Sequence, residues 1–331
     1  MQSFEWIDAR SVQHAAALLG ACSAEHPVLA KAGGMDLIDL MKEGIVTPAR
    51  VVNLKTIDAL AEVRFDEREG LNLGALTTLA DIAASPLVRG RYRALAEAAA
   101  HAATPQVRNA ATIGGNLLQR PRSWYFRNRH FHAGDGDGAA GQQYERDDRY
   151  GPIFDNGGTG ETTLVHASTP ATALIAYGAS VHVSNAQGRT RSVLLQDFLV
   201  PPDMNRDRDA QLERDEVLTH VTVPAVPLHT RVAYHKQTER DSYDWPICDV
   251  AVVLGMNGDL VASATIVLGW VAPLPRRAAQ SEALLVGREI SEHVAAEAAR
   301  AALVGATPSA RNRYKVPVLE AVLRRTILAA A

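Results

Sequence analysis

The chain has 331 residues, of which 47% are hydrophobic and 21% are charged, so it can bury two or three hydrophobic cores. Its net charge of -3, and the lack of a basic face interleaved with aromatic residues, exclude a nucleic-acid-binding protein. No apolar run reaches the roughly 18 residues that cross a bilayer, and the first residues form no secretion signal, so we expect no membrane insertion and no export signal of its own.

The first two thirds of the chain predict short strands that alternate with helices. Ser11 is placed to cap an Ala- and Leu-rich helix that ends near Gly20. A second Ala-rich helix of good propensity is expected from Tyr92 to Ala103, where Thr104-Pro105 would stop it. Further helices are expected over 36–42, from Thr77 onwards and over 171–177, and strands over 4–8, 27–30, 51–54, 70–75 and 180–183.

Two Gly-Gly turns are the features that point most directly to a ligand. Residues 30–37 read Ala-Lys-Ala-Gly-Gly-Met-Asp-Leu, and residues 112–116 read Thr-Ile-Gly-Gly-Asn. Glycine lets backbone N–H groups approach an anion closely. The first turn also lies between a predicted strand and a predicted helix, whose N-terminus favours a phosphate group. Together the two turns predict a diphosphate site, whereas either turn alone is better interpreted as an ordinary tight turn.

These motifs resemble those of a known family over nearly the whole chain. Residues 32–37 with Met41 and Lys42, and residues 111–117, are similar to the two FAD loops of the FAD-binding medium subunit of xanthine dehydrogenases and carbon monoxide dehydrogenases, which are molybdenum hydroxylases. The resemblance implies an α+β fold, in which a two-part FAD-binding domain of the vanillyl-alcohol-oxidase (PCMH) type precedes a smaller α+β domain of the carbon monoxide dehydrogenase flavoprotein type. We therefore expect domains at 1–223 (subdomains about 1–55 and 56–223, with a long loop at 127–160) and at 229–331.

The resemblance also implies FAD-binding residues and no catalytic residue. The expected contacts are Ala30, Lys31, Ala32, Gly33, Gly34, Met35, Asp36, Leu37, Thr104, Ala111, Thr112, Gly114, Gly115, Asn116, Gln119, Ser168, Thr169 and Lys236. Thr169 stands where the family has aspartate, and Ser168 and Thr169 either contact the cofactor or simply cap the next helix. Lys236 and Asp249 stand where the family approaches the isoalloxazine ring. Lys236 either stabilises the reduced flavin there or is an exposed strand lysine.

Residues 119–127 resemble the aldehyde-oxidising bacterial branch of the family, whose flavin subunit carries an additional iron–sulfur cluster. This chain has Ser123 where that branch has a cysteine. Because Cys22 and Cys248 are its only cysteines, the chain cannot supply four thiolates, and we predict neither a cluster nor another metal in this subunit. Two cysteines also give no disulfide framework, which agrees with a reducing compartment.

The long loop at 127–160 offers two further patterns, and we interpret both as solvated. Its Gly-Asp-Gly-Asp-Gly run at 134–138 lacks the glutamate that closes an EF-hand calcium loop. His130 and His132 have no thiolate partner that would define a metal geometry.

The segment just before that loop leaves two alternatives open. Arginine and aromatic residues are favoured at protein interfaces, so its side chains either dock an iron–sulfur subunit or belong to a loop that folds inward around Trp124. The residues concerned are Arg120, Arg122, Trp124 and Tyr125.

The last third of the chain predicts a small α+β unit after a Pro-rich linker at 224–228. Residues 231–236 alternate like an edge strand, and Asn257-Gly258 predicts a hairpin between strands over 248–256 and 261–269. Helices are expected over 275–286, 292–304 and 316–328.

The function implied by the resemblance is electron transfer through FAD, because a flavin accepts and donates electrons one or two at a time. A partner small subunit would supply electrons from [2Fe-2S] clusters close to the flavin, and a large subunit with a molybdenum cofactor would oxidise an aldehyde or an N-heterocycle. The acceptor would be oxygen, NAD, a quinone or a protein. Two alternatives are a self-contained FAD-dependent oxidase or reductase, and a scaffold subunit that has lost FAD. The expected location is the cytoplasm, or the periplasm if the chain is exported folded with a partner.

Overall fold

The computed structural model describes residues 1–128, 148–155, 164–203 and 208–331. Within these ranges, helices and three separate sheets form an α+β structure, as predicted. The run at 134–138, His130, His132 and most of the predicted loop at 127–160 lie outside the described residues. None of the described helices combines the length and the apolar character needed to cross a bilayer.

A small parallel sheet begins the chain. Its strands are β1 (Glu5–Asp8), β2 (Val28–Lys31) and β3 (Arg50–Asn53), with β3 in the centre. Helix α1 (Val12–Gly20) is capped by Ser11, whose hydroxyl accepts a 3.1 Å hydrogen bond from the backbone N–H of His14. Helix α2 (Leu37–Lys42) follows β2 through the first Gly-Gly turn. The predicted order of strand, glycine turn and helix is therefore confirmed.

The second sheet is antiparallel and has five strands. They are β4 (Val63–Asp66), β5 (Gly70–Gly74), β6 (Ser180–Asn185), β7 (Thr190–Leu194) and β8 (Glu216–Val223). Their order in the sheet is β4-β5-β8-β6-β7, so β8 joins the two hairpins. Strand β8 was not predicted, although its Val and Thr residues have high β propensity.

Short helices accompany this sheet, and most of them share its hydrophobic core. They are α3 (Leu79–Ala84), α4 (Pro86–Arg91), α5 (Arg93–Ala100), α6 (Pro105–Ala110), α7 (Ile113–Leu117), α8 (Thr169–Ala176) and α9 (Leu195–Phe198), with a 3-10 turn at Asp58–Ala61. The helix expected from Tyr92 to Ala103 is confirmed as α5, which is shorter than predicted by one residue at its start and three at its end. Tyr92 is a buried junction between α4 and α5, and its hydroxyl donates to the Pro224 carbonyl over 3.1 Å. This contact fixes Tyr92 at the junction, immediately before α5 begins.

The last part of the chain forms a four-stranded antiparallel sheet and three helices. Its elements are β9 (Thr230–Gln237), β10 (Cys248–Asn257), β11 (Leu260–Gly269), β12 (Arg276–Arg277), α10 (Ala279–Leu285), α11 (Glu292–Ala301) and α12 (Lys315–Ala329). The hairpin at Asn257-Gly258 and the edge position of β9 are confirmed. The helix predicted from Pro275 begins only at Ala279, because Arg276 and Arg277 pair with β11.

Both faces of the third sheet are covered. Val250 and Val252 of β10 pack into the core formed with α10, α11 and α12. Ala251, which points to the opposite face, lies in the core that contains α5 and α8. The third sheet is thus packed directly on helices of the preceding part, which brings the connection between β9 and β10 close to the glycine turns.

Candidate functional site

The structure brings the two Gly-Gly turns together. A Cβ atom on Gly33 would lie 2.0 Å from the Ala110 carbonyl oxygen and 3.2 Å from the Ala111 Cα atom. Only glycine permits this approach between the first turn and the chain that leads into the second. Gly34 adopts a φ of +81°, which turns the chain from β2 into α2. We call residues 32–36 the first loop and residues 111–116 the second loop.

The two loops differ in the hydrogen bonds of their backbone N–H groups. In the second loop, the N–H groups of Ile113 and Gly114 donate to the carbonyls of Thr77 and Ala75, each over 2.9 Å. The N–H of Gly115 donates to the Thr112 hydroxyl over 3.2 Å. In the first loop, the N–H groups of residues 33–36 donate to no acceptor in the part of the chain that the structure describes. The first loop therefore offers a set of successive free donors, as an anion-binding nest does.

A cavity of about 430 Å³ lies against both loops. Thirteen of the predicted contact residues line it, and they are Ala30, Ala32, Gly33, Gly34, Met35, Asp36, Leu37, Ala111, Thr112, Gly114, Gly115, Asn116 and Gln119. The remaining wall is largely apolar and includes leucines from α1, β2 and the 3-10 turn. A cavity of this size, with an apolar wall and a few polar groups, is typical of a cofactor site.

Five predicted contacts do not line the cavity. The ammonium group of Lys31 lies 5.3 Å from the centre of the Trp6 ring. The Thr104 hydroxyl caps α6 by accepting from the N–H of Val107. The Lys236 ammonium donates to the His101 carbonyl over 2.7 Å. These three side chains are therefore engaged elsewhere in the protein.

Ser168 and Thr169 have separate roles. The Ser168 hydroxyl caps α8 by accepting from the N–H of Ala171 over 3.1 Å, and it donates to Oδ1 of Asn116 over 2.5 Å. Because Asn116 lines the cavity, Ser168 supports the cavity wall from behind. Thr169 is buried, and its hydroxyl donates to the Ala98 carbonyl over 3.3 Å. The cap interpretation thus holds for Ser168 and not for Thr169.

Asp249 lies at the buried junction between β10 and α8, away from the cavity wall. The Tyr234 hydroxyl donates to Asp249 Oδ2 over 2.9 Å. Burial raises the pKa of Asp249 to about 7, since a carboxylate loses its hydration there. The same burial, together with the charge of Asp249, raises the pKa of Tyr234 well above its usual value.

An arginine cluster fixes the first loop from outside. Asp36 Oδ1 pairs with the guanidinium groups of Arg127 at 2.6 Å and Arg122 at 2.9 Å. Asp36 Oδ2 accepts from the backbone N–H of Arg120 over 2.9 Å. Asp39 on α2 pairs with Arg127 at 3.1 Å. The carboxylate beside the free N–H donors is thereby neutralised, which leaves the loop suited to an anionic ligand.

Comparison with known protein families agrees with these geometrical features. A family model described as the FAD binding domain in molybdopterin dehydrogenase matches residues 2–226. The chain belongs to this family. A second model, described as the CO dehydrogenase flavoprotein C-terminal domain, matches residues 233–330. The predicted family, fold class and FAD cofactor are confirmed, and the protein is an FAD-binding subunit of the molybdenum hydroxylase class of oxidoreductases.

Known relatives agree with this family. The chain is 33% identical over 258 residues to the aldehyde oxidoreductase FAD-binding subunit of Escherichia coli K12, covering 77% of this chain and 78% of that protein. It is 29% identical to the carbon monoxide dehydrogenase medium chain of Hydrogenophaga pseudoflava, covering 99% and 96%. It also superposes on a structure of carbon monoxide dehydrogenase from that organism lacking the Mo-pyranopterin moiety, with a TM-score of 0.77, 27% identity and coverage of 99% and 97%.

In this FAD-binding subunit, neither alternative for the segment after the second loop describes all four of its side chains. Arg120 and Arg122 do not form a docking face, because they are largely buried, line the cavity and pair with carboxylates of this chain. The segment does fold inward, but Trp124 is not its anchor, since Trp124 is 75% exposed. The arginines fix it instead. Arg120 pairs with Asp209, and Arg122 pairs with Asp36 and Asp39. These partners are distant in the sequence, so no local pattern indicated the pairs.

Other residues that line the cavity were also missed. Trp245, from the connection between β9 and β10, lines the cavity together with Arg208 and Glu216 near β8. Trp245 lies among Asp, Ser, Tyr and Pro in a connection without periodicity, which carries no sequence signal for a cavity wall. Among the described residues, no group of three or more His, Cys, Asp or Glu side chains could hold a metal ion.

Proposed function

We propose that the chain holds one FAD with its diphosphate on the first loop, and that it carries electrons between partner subunits and an external acceptor. The observation behind this proposal is the run of free N–H groups at residues 33–36 on the wall of the cavity. Such donors bind phosphate oxygens without any need for a lysine or a metal ion.

The thirteen cavity-lining residues are proposed as the direct FAD contacts. The second loop supports the first loop rather than supplying most of the donors, because its own N–H groups bond to Thr77, Ala75 and Thr112. Lys31, Thr104, Ser168, Thr169 and Lys236 are proposed as indirect contributors, and Ser168 acts through Asn116.

The domain arrangement follows from the same site. We propose that residues 1–223, with subdomains of about 1–55 and 56–223, form the FAD-binding domain and that 229–331 form the C-terminal domain. The C-terminal domain would contribute one wall of the cavity through Trp245.

The chemistry of the bound group is redox chemistry, since FAD exchanges single electrons or electron pairs. The residues of this chain bind the diphosphate, orient the ring and restrict water. No catalytic acid, base or nucleophile of the chain is needed for that role.

The partners are proposed from the relatives, which are named as subunits or medium chains of larger enzymes. We propose an iron–sulfur small subunit as the electron donor and a molybdenum-cofactor large subunit as the site of substrate oxidation. The relatives include subunits of an aldehyde oxidoreductase, a glyceraldehyde dehydrogenase and a nicotinate dehydrogenase, which supports an aldehyde or an N-heterocycle as substrate. Oxygen, NAD, a quinone or a protein would accept the electrons. The complex would work in the cytoplasm, or in the periplasm after export as a folded assembly.

The test is an absorption spectrum of the purified chain, with the released ligand identified by mass and iron measured on the same sample. We expect one FAD per chain and no iron. A chain that takes up no FAD, either alone or assembled with its partner subunits, would contradict the proposal and favour a scaffold. Turnover of a small substrate by the chain alone would instead favour a self-contained flavoenzyme.

A further inference from the structure

Trp245 is the one cavity-lining residue in the described ranges that comes from the chain beyond residue 228. It lies in the connection between β9 and β10 and is 47% exposed, so its ring lies at the open edge of the cavity. A half-exposed tryptophan on a cavity wall presents a large planar surface at low entropic cost.

The Trp245 ring is backed by a second indole. Its ring centre lies 5.5 Å from that of Trp270, with an angle of 27° between the planes, which is a stacked pair. The Arg122 guanidinium lies 5.4 Å from the centre of the Trp245 ring. Aromatic rings at this separation attract each other, so the pair restricts the orientation of Trp245.

Trp270 is held at an unfavourable backbone conformation. Its φ of +63° makes it the only non-glycine residue with positive φ in the part of the chain that the structure describes. Its indole N–H is buried and has no acceptor within that same part. Both features are costly for a tryptophan, and such strain persists where the surroundings determine the conformation and often serves a site.

Lys315 supplies the restraint on Trp270. Its buried ammonium group donates to the Trp270 carbonyl over 2.9 Å, to the Gly151 carbonyl over 2.9 Å and to the Tyr150 carbonyl over 3.1 Å. Three hydrogen bonds satisfy all of its donors. A continuous set of contacts therefore leads from Lys315 on α12 through Trp270 to the cavity wall.

The position of Trp245 indicates which of the two ring systems of FAD lies beside it. The cavity wall formed by Leu19, Leu54 and Leu60 belongs to a buried core and is closed to solvent. Trp245 lies at an exposed edge instead. A ring that exchanges electrons with other subunits needs a short path to the surface, whereas the adenine ring needs none.

We propose that Trp245 forms the aromatic wall on which the isoalloxazine ring of FAD packs, and that Trp270 and Lys315 are positioning residues for that wall. This inference rests on the proposed function, because it assigns one ring of the FAD bound there. A packed indole quenches flavin fluorescence, so the contact has a spectroscopic signature that does not depend on turnover.

The test compares Trp245→Leu and Trp245→Phe with the unsubstituted chain at equal FAD occupancy. We expect Trp245→Leu to raise the fluorescence of bound flavin severalfold, and Trp245→Phe to give an intermediate rise. Trp124→Leu is the matched control, since Trp124 is exposed and does not line the cavity, and it should leave the fluorescence unchanged.

Trp270 requires a separate pair of variants. Trp270→Leu should raise the fluorescence in the same direction, and Trp270→Phe, which restores a ring behind Trp245, should reverse most of that rise. A purely structural role would lower the melting temperature in both variants and leave the fluorescence of the bound flavin unchanged, which would contradict the positioning role.

The test distinguishes a failure of the Trp245 assignment from a failure of the proposed function. One FAD per chain in every variant, with fluorescence unchanged in Trp245→Leu, would overturn the assignment of Trp245 and leave the proposed function intact. Weaker FAD binding by Trp245→Leu with unchanged isoalloxazine fluorescence would also overturn the assignment of Trp245, because that result would place the adenine ring against Trp245. An unsubstituted chain that binds no FAD would overturn the proposed function and this inference together.

Discussion

Asp36 and Arg127 form an ion pair of 2.6 Å that joins the first loop to the segment following the second loop. Both side chains are mostly buried, and Asp36 also pairs with Arg122. A carboxylate beside the free N–H groups of residues 33–36 would repel a diphosphate if it stood alone. The pair therefore has two effects, since it fixes the position of the loop and removes the charge that would oppose the ligand.

Replacing Arg127 tests this role. Arg127→Met leaves Asp36 with Arg122 and the Arg120 N–H, so we expect the loop to remain folded but less well fixed. The dissociation constant for FAD should rise by about tenfold or more, since a lost hydrogen bond to a charged group costs roughly 1.5–3 kcal/mol. Flavin titration followed by fluorescence measures the change.

Arg93→Met is the matched control for Arg127→Met. Arg93 pairs with Glu97 on the surface of α5, and its side chain is 66% exposed. Such a pair contributes only about 0.3–0.5 kcal/mol, so this variant should bind FAD as the unsubstituted chain does. Equal FAD affinity in Arg127→Met and Arg93→Met would show that the Asp36 pair does not influence the site.

Gly33→Ala should abolish FAD binding. The added Cβ atom would lie 2.0 Å from the Ala110 carbonyl oxygen, so the two loops must separate and the cavity between them must change. Gly90→Ala is the control, because a Cβ on Gly90 meets nothing within 4 Å. We expect Gly90→Ala to retain one FAD per chain after gel filtration and Gly33→Ala to elute without flavin. Flavin retained by a folded Gly33→Ala chain would contradict the assigned loop contact.

Much of the site was predictable because its signals are local. The Gly-Gly turns, the cap at Ser168 and the hairpin at Asn257-Gly258 each depend on a few adjacent residues, and the structure contains all three features. The resemblance to the FAD-binding family then assigned a ligand to the turns, which their residues alone left as ordinary turns or a diphosphate site.

The parts that were missed depend on contacts between distant residues. Nothing near Asp36 indicates that Arg122 and Arg127 will neutralise it, and nothing near Trp245 indicates that Trp270 will stack on it. The hydrogen bond between the Tyr92 hydroxyl and the carbonyl of Pro224, in a distant segment, is likewise not indicated by any local pattern. Propensity describes the chain locally, whereas these residues are placed by packing.

Ser168→Ala should weaken both the fold and FAD binding. The Ser168 hydroxyl caps α8 and also donates to Asn116 on the cavity wall. Loss of the cap should lower the free energy of unfolding by about 1 kcal/mol, within the usual range of roughly 0.5–2. Loss of the hydrogen bond to Asn116 leaves that side chain less well fixed on the cavity wall, so the dissociation constant for FAD should rise. Denaturant unfolding and flavin titration measure the two effects separately.

Ser291→Ala separates these two effects. Ser291 caps α11 through the N–H of Val294 over 3.3 Å and does not line the cavity. The variant should lose a similar amount of stability and keep the FAD affinity of the unsubstituted chain. If both serine variants lose affinity equally, the effect of Ser168 is one of general stability and not of its bond to Asn116.

Asp249→Asn should change how stability depends on pH. The folded-state pKa of Asp249, raised to about 7 by burial, exceeds its ordinary value of 3.8, so the native state binds the proton more tightly than the unfolded state. Its favourable contribution is complete at low pH and is lost as the pH rises from about 4 to 7, with a slope of at most about 1.4 kcal/mol per pH unit. Asparagine does not titrate, and its carbonyl can still accept from Tyr234.

The measurement is the difference in unfolding free energy between Asp249→Asn and the unsubstituted chain across pH 5–8. Taking the difference removes the opposite contributions of His166 and His220, whose pKa values burial lowers to about 4, because those histidines are present in both proteins. We expect the asparagine variant to gain relative stability as the pH rises to about 7 and no further change above it. A difference that stays constant over the whole range would mean that Asp249 is already ionised at pH 5, and that the buried junction between β10 and α8 accommodates a charge.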